Sequence, residues 1–144
     1  PAGGGAGDAR ARAGRACRSR VKGRELQREI IKSANRLGWA CATFPPVETA
    51  RGWRTPAGAQ GKGWPDITLV RDRVVFAEVK GTDTVRPDQR LWANRLLLAG
   101  AEVHLWTPAQ WEDGSVMGVL EMQRPSPEWL RDMAEELSRT LLRV

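Results

Sequence analysis

Histidine and cysteine are nearly missing from this sequence: His104 is the single histidine, and Cys17 and Cys41 are the two cysteines. Each scarcity removes a class of chemistry. One histidine cannot build a His-rich zinc hydrolase or a two-histidine acid–base pair. Two cysteines cannot by themselves make a disulfide framework or a zinc site, and they suit a reducing, intracellular setting such as the cytoplasm. Long apolar runs are missing too; none approaches the roughly 18 residues that a membrane-spanning helix needs. No internal repeat is evident. Any catalysis therefore falls to carboxylates, lysine and a metal ion.

What the chain does have is positive charge. Lysine and arginine number 23 against 17 acidic residues, giving a formal charge of +6 and a pI near 10.3. That balance favours a polyanionic partner, with nucleic acid first and an anionic membrane surface as the rival. No basic amphipathic helix is evident to serve the membrane reading. At 144 residues and 41% hydrophobic content, one compact domain with a real core is expected.

Residues 1–22 are Ala, Gly and Arg with little else, and six cations there (Arg10, Arg12, Arg15, Arg18, Arg20, Lys22) face only Asp8. So little apolar bulk predicts a disordered basic arm, which could lie along phosphates or merely solubilise the chain. The domain proper is expected over 23–144. Leu26, Ile30, Ala34 and Leu37 predict a helix over 23–37, stopped by Gly38. Residues 39–44 read as a short strand. Residues 45–63 read as a long loop, rich in proline and glycine and made basic by Arg51, Arg54 and Lys62; such loops are commonly functional. Ile67–Val70 and Val74–Lys80 read as a hairpin turning at Asp72. Pro87, Asp88 and Gly100 bracket a helix over 87–99. A strand follows at 101–106, a further strand is expected at 116–122, and a last helix starts at Ser126-Pro127-Glu128 with Leu130, Met133, Leu137 and Leu141 on one face.

The hairpin carries the chemistry. With its loop centred on Asp72, paired residue numbers sum to 144, so Asp66 lies opposite Glu78. Cross-strand Cβ atoms lie about 4.5–5.5 Å apart. Two carboxylates that close repel unless a cation sits between them, and oxygen ligands suit Mg²⁺. Glu78 and Lys80 share one face of the strand while Ala77 and Val79 point into the core. Lys80 beside a metal would orient water or stabilise charge on a phosphate. Gln89, early in the second helix, points toward the strand of Glu78 and needs a partner, from water, phosphate or Lys80. A lone Glu-x-Lys means little; Pro-Asp before one strand, Glu-x-Lys ending the next and a helix-borne Gln together are far more specific.

Gly63-Trp64-Pro65-Asp66, Glu78-Val79-Lys80, Gln89-Arg90-Leu91-Trp92 and Gly100-Ala101-Glu102-Val103 resemble the VRR-NUC branch of the PD-(D/E)XK nuclease superfamily. The resemblance covers about 25–106 and leaves 107–144 as a C-terminal extension. It implies an α/β fold with a restriction-endonuclease-like αβββαβ core, a mixed sheet and a C-terminal helix. It implies Mg²⁺- or Mn²⁺-dependent hydrolysis of DNA phosphodiesters, with Asp66, Glu78 and the Val79 backbone carbonyl as metal ligands and Lys80 as the catalytic lysine. The superfamily also places a glutamate on the first helix, for which Glu25 is the first choice and Glu29 the second. Stand-alone members resemble Holliday-junction resolvases, are often phage-encoded and tend to be homodimers. The expectation is thus a metal-dependent endonuclease of branched or junction DNA, in the cytoplasm of a cell or of a phage host. The alternative is a non-catalytic DNA-binding or scaffold module that keeps the nuclease fold, against which the intact Asp/Glu/Lys set argues.

Around this centre, Arg51, Arg54, Lys62, Arg86 and Arg90 are candidate DNA-binding cations. Of the seven tryptophans, Trp92 and Trp129 are expected to pack, while Trp53 and Trp64 flank the basic loop and are candidates for base stacking. His104 shares a strand face with Glu102 and Trp106 and reads as a structural or surface histidine rather than a catalytic one.

Overall fold

A computed structural model describes residues 22–55 and 58–142. The expected arm at 1–22 lies almost wholly outside the described residues. The fold is mixed α/β with a mixed sheet and a C-terminal helix. Helix α1 covers 22–36, and strand β1 (Ala40–Thr43) follows after Gly38 turns the chain with φ +86°. Strands β2 (Val47–Thr49) and β3 (Gly52–Arg54) form a separate two-stranded ribbon. Strands β4 (Ile67–Val70) and β5 (Val74–Val79) precede helix α2 (Pro87–Leu98) and strand β6 (Glu102–Trp106). Helices α3 (Pro108–Glu112), α4 (Ser115–Glu121) and α5 (Pro127–Leu142) complete the described residues.

The main sheet has the order β1-β4-β5-β6. Its first two pairings are antiparallel and the β5–β6 pairing is parallel. Parallel neighbours need a long return connection, and α2 supplies it. Alternation then sorts the side chains. Val75, Ala77 and Val79 join Ile67, Leu69 and Trp106 in a core with Leu26, Ile30 and Ala34 of α1 and Val116 and Leu120 of α4. On the other face, Phe76, Val103 and Leu105 meet Ala93 and Leu96 of α2 and Leu137 and Leu141 of α5. The sheet is thus sandwiched between two helical layers, burial being the driving term at about 25 cal/mol per Å² of apolar surface.

Two expectations need correction. The stretch 45–63 is not without structure: Val47, Glu48 and Thr49 pair with Arg54, Trp53 and Gly52. A two-residue turn closes the hairpin, with Gly52 at φ +96° and the Thr49 hydroxyl accepting from Arg51 N at 3.2 Å. Strands of three residues are too short for alternation to announce them. Residues 116–122, expected as a strand, form most of α4. Their unbroken apolar run fits either state, and the four-residue spacing of fully buried Val116 and Leu120 decides for helix. Gly114, at φ +85°, turns the chain from α3 into α4, and Asp113 Oδ1 accepts from Ser115 N at 2.8 Å just before the first turn of α4. Helix α3 had not been expected; Thr107 caps it, with Pro108 at its first position and Gln110 completing a capping box.

The β4–β5 turn also anchors α4. Arg71 donates to the Leu37, Leu120 and Met122 carbonyls at 3.2, 3.1 and 2.7 Å. Arg73 donates to the Met122 and Val119 carbonyls at 2.7 and 3.0 Å and pairs with buried Glu102 at 2.7 Å. Two cations thus satisfy the open carbonyls at a helix C-terminus, where the helix dipole favours positive charge. Both guanidinium groups also lie over the Trp39 ring. His104 Nε2 lies 2.9 Å from Glu102 Oε1 and its ring stacks on Trp106, so it serves this structural network, as its strand face had suggested.

Candidate active site

The β4–β5 register runs Val70↔Val74, Leu69↔Val75, Thr68↔Phe76 and Ile67↔Ala77. One further step puts Asp66 opposite Glu78, at the end of the sheet where β4 begins and β5 finishes. Asp66 Oδ2 accepts a hydrogen bond from Val79 N at 2.9 Å, which aims its carboxyl along the strand end. Glu78 and Lys80 are both buried, each only 7% exposed. They share a face, with Lys80 Nζ 3.2 Å from Glu78 Oε1. Lys80 Nζ also lies 3.3 Å from Asp83 Oδ2.

Helix α2 completes the group. Gln89 is buried, and its Nε2 donates to Glu78 Oε1. Its Oε1 accepts from Arg86 N at 2.9 Å at the helix start. The partner of the Gln89 amide is therefore Glu78 rather than Lys80. The amide cannot be moved without undoing the cap of α2, so the cap holds Glu78 in place.

The approach to Asp66 is locked by packing. Gly63 has φ +88°, and a Cβ there would lie 2.5 Å from the Asp88 carbonyl carbon and 2.6 Å from its oxygen. Only glycine lets this loop press on the first turn of α2. Trp64 is wedged edge-on between Phe76 and Trp92, at centroid distances of 5.5 and 4.9 Å. Trp92 Nε1 donates to the Gln60 carbonyl at 2.9 Å. Of the two stacking candidates, Trp64 is thus committed to packing, while Trp53 is 55% exposed.

The electrostatics follow from burial. Burial raises the Glu78 carboxyl to about 8, and the neighbouring Asp66 charge adds to that rise against the pull of Lys80. Burial also raises Asp66, outweighing its hydrogen bond from Val79 N and the Lys80 charge. The neighbouring Glu78 side chain acts the other way on Asp66, favouring its ionised form, without overcoming the effect of burial. Two half-dry carboxyls that resist joint ionisation fit a divalent cation, which would relieve their repulsion.

The other expected residues are more scattered. Arg51 stands at the tip of the β2–β3 hairpin and Arg54 on β3, both exposed, as is Lys62. Arg86 caps α2, and its charge favours ionisation of both Asp66 and Glu78. Arg90 is half-buried, and its Nε finds no acceptor among the described residues. Glu25 and Glu29 are exposed on α1. The start of α1 does reach this end of the sheet, since a Cβ on Gly23 would lie 3.7 Å from Gly81 N. Among the described residues, however, no third Asp, Glu, His or Cys gathers with Asp66 and Glu78 into one metal-holding cluster. Asp83 is the residue that sequence reasoning missed. An acid three positions past a lysine, in a Gly/Thr turn, looks like any solvated charge until the turn folds it back.

No protein-family model matches this chain, and neither the curated proteins nor the solved structures contain a significant match. Among the described residues no helix is long and apolar enough to cross a membrane.

Proposed function

We propose that this protein is a metal-dependent endonuclease that hydrolyses DNA phosphodiester bonds, built on a restriction-endonuclease-like core of the VRR-NUC type. The observation that carries the reading is the pairing of half-buried Asp66 with buried Glu78, cross-strand neighbours with Lys80 bonded alongside. The net charge of +6 supports a polyanionic substrate. Asp66, Glu78 and the Val79 carbonyl would hold Mg²⁺ or Mn²⁺. When bound, the cation supplies Lewis acidity toward a phosphate oxygen and the attacking water.

The side chains have separate tasks. Val79 N–H and Gln89 Nε2 fix the two carboxyls in direction before any ligand arrives. Such preorganisation avoids reorganisation cost during reaction. Lys80 keeps its ammonium at the strand end, where it would stabilise the charge that develops on the phosphate as water attacks in line. Arg86 adds positive potential at the mouth. The resemblance further supports a homodimer acting on branched or junction DNA, with two sites serving two strands.

The experiment is a cleavage panel of four-way junction, flap, nicked and plain duplex DNAs with Mg²⁺ and with Mn²⁺, paired with a solution mass. Cleavage should vanish in Asp66→Ala, Glu78→Ala and Lys80→Ala while DNA binding persists. Full cleavage by the Glu78→Ala protein, or binding without cleavage of every DNA by the wild type, would overturn the proposal.

A further inference from the structure

The β2–β3 hairpin belongs to neither helical layer and does not pair with the main sheet. All six of its strand residues are exposed. A two-stranded ribbon is marginal alone, so an exposed one carrying large apolar groups calls for a partner. Trp53 is 55% exposed, Val47 is 45% exposed, and Phe44 at its base is 53% exposed.

Its position is set by the chain. Thr43 of β1 pairs with Ile67, so β1 ends at the same end of the sheet as Asp66. The hairpin leaves from there. Arg24 ties it back, with its guanidinium 5.4 Å from the Trp53 ring centroid. Arg24 follows Gly23, which abuts Gly81, the residue after Lys80. The hairpin therefore stands beside the active site. Arg24 lies over Trp53, Arg54 follows it on β3 and Arg51 stands at the hairpin tip, while one acid, Glu48, lies opposite it.

We infer that this hairpin is a stacking platform for unpaired bases, so that the preferred substrate carries a single-stranded segment next to the scissile bond. An indole held by a cation on one side and open on the other takes a base face-on. Flanking arginines track the adjoining phosphates. A closed duplex hides its base faces and would leave the ring unused. This inference rests on the reading of the chain as a DNA-acting protein, and it names the substrate class which that reading leaves open.

The test is equilibrium binding by the full chain, in EDTA so that cleavage plays no part. The probes are a flap DNA with 2-aminopurine in its single-stranded arm and a blunt duplex of the same sequence. Loss of one stacked base should weaken flap binding by Trp53→Ala about tenfold. Trp53→Phe should restore most of it, and duplex binding should change less than about twofold. The 2-aminopurine signal should respond to wild type and not to Trp53→Ala. Equal losses on flap and duplex, no loss on either, or a fall in solution mass with unchanged flap affinity would each overturn the inference. Absence of cleavage by wild type would sink the nuclease reading yet leave this binding result to be read independently.

Discussion

Replacing Glu78 with glutamine should stabilise the metal-free protein at alkaline pH while abolishing cleavage. A carboxyl held at about 8 instead of its ordinary 4.5 carries roughly 5 kcal/mol against its ionised form. The sign follows from proton binding. Between those two values the folded chain holds a proton that the unfolded chain has released. The contribution of Glu78 to stability is therefore intact below pH 4.5 and is lost as pH rises to about 8. Glutamine has the same shape, still accepts from Gln89, and does not titrate. Water entry and relaxation should absorb about half of the penalty, leaving on the order of 2–3 kcal/mol. For a domain of this size that corresponds to about 5–10 °C in melting temperature. The assay is a set of thermal melts of wild type and Glu78→Gln in EDTA across about pH 5 to 9. The two should be close at the acid end, and the variant should lead increasingly toward the alkaline end. Added Mg²⁺ should raise the wild-type melting temperature at alkaline pH and leave the variant unmoved. Parallel curves over the whole range, or an equal Mg²⁺ response in both proteins, would refute the reasoning.

Other outcomes follow from single contacts. Gly63→Ala puts a Cβ into the Asp88 backbone at a positive φ and should cost about 3 kcal/mol in urea unfolding. Because Asp88 adjoins Gln89, the same variant should lose more activity than its stability loss accounts for, read as kcat on the folded protein. Arg73→Ala strands buried Glu102 and frees the α4 carbonyls, and should cost about 3–5 kcal/mol near neutral pH. Burial pushes the Glu102 carboxyl up, but its bonds to His104 and Arg73 prevail and hold it below its usual range. Its stabilising share is present above the ordinary glutamate value and is lost as pH falls through the depressed one. The Arg73→Ala deficit should therefore shrink in acid, as urea midpoints against pH would show.

Much of this molecule is written in local pattern. The β4–β5 register follows from two β-branched runs about one short turn, and a period of two then dictates that Asp66 meets Glu78 and that Lys80 joins them. Helices α1, α2 and α5 announce themselves by apolar spacing and by their Gly and Pro boundaries. Where the local signal is degenerate, reading fails. Val116–Met122 could wind or extend, and only burial of Val116 and Leu120 against α1 and the sheet makes it α4. The β2–β3 ribbon is too short to show a period.

The carboxylate pair that defines the candidate site thus came from sequence alone, because strand pairing is a matter of neighbours. What tertiary structure decided is its environment. Docking of α2 set Gln89 on Glu78, the fold of the following turn brought Asp83 to Lys80, and closure of the helical layers dried the site enough to lift Glu78 to about 8. Such effects depend on what else is near in space, and a residue's distant neighbours leave no mark on its own stretch of chain.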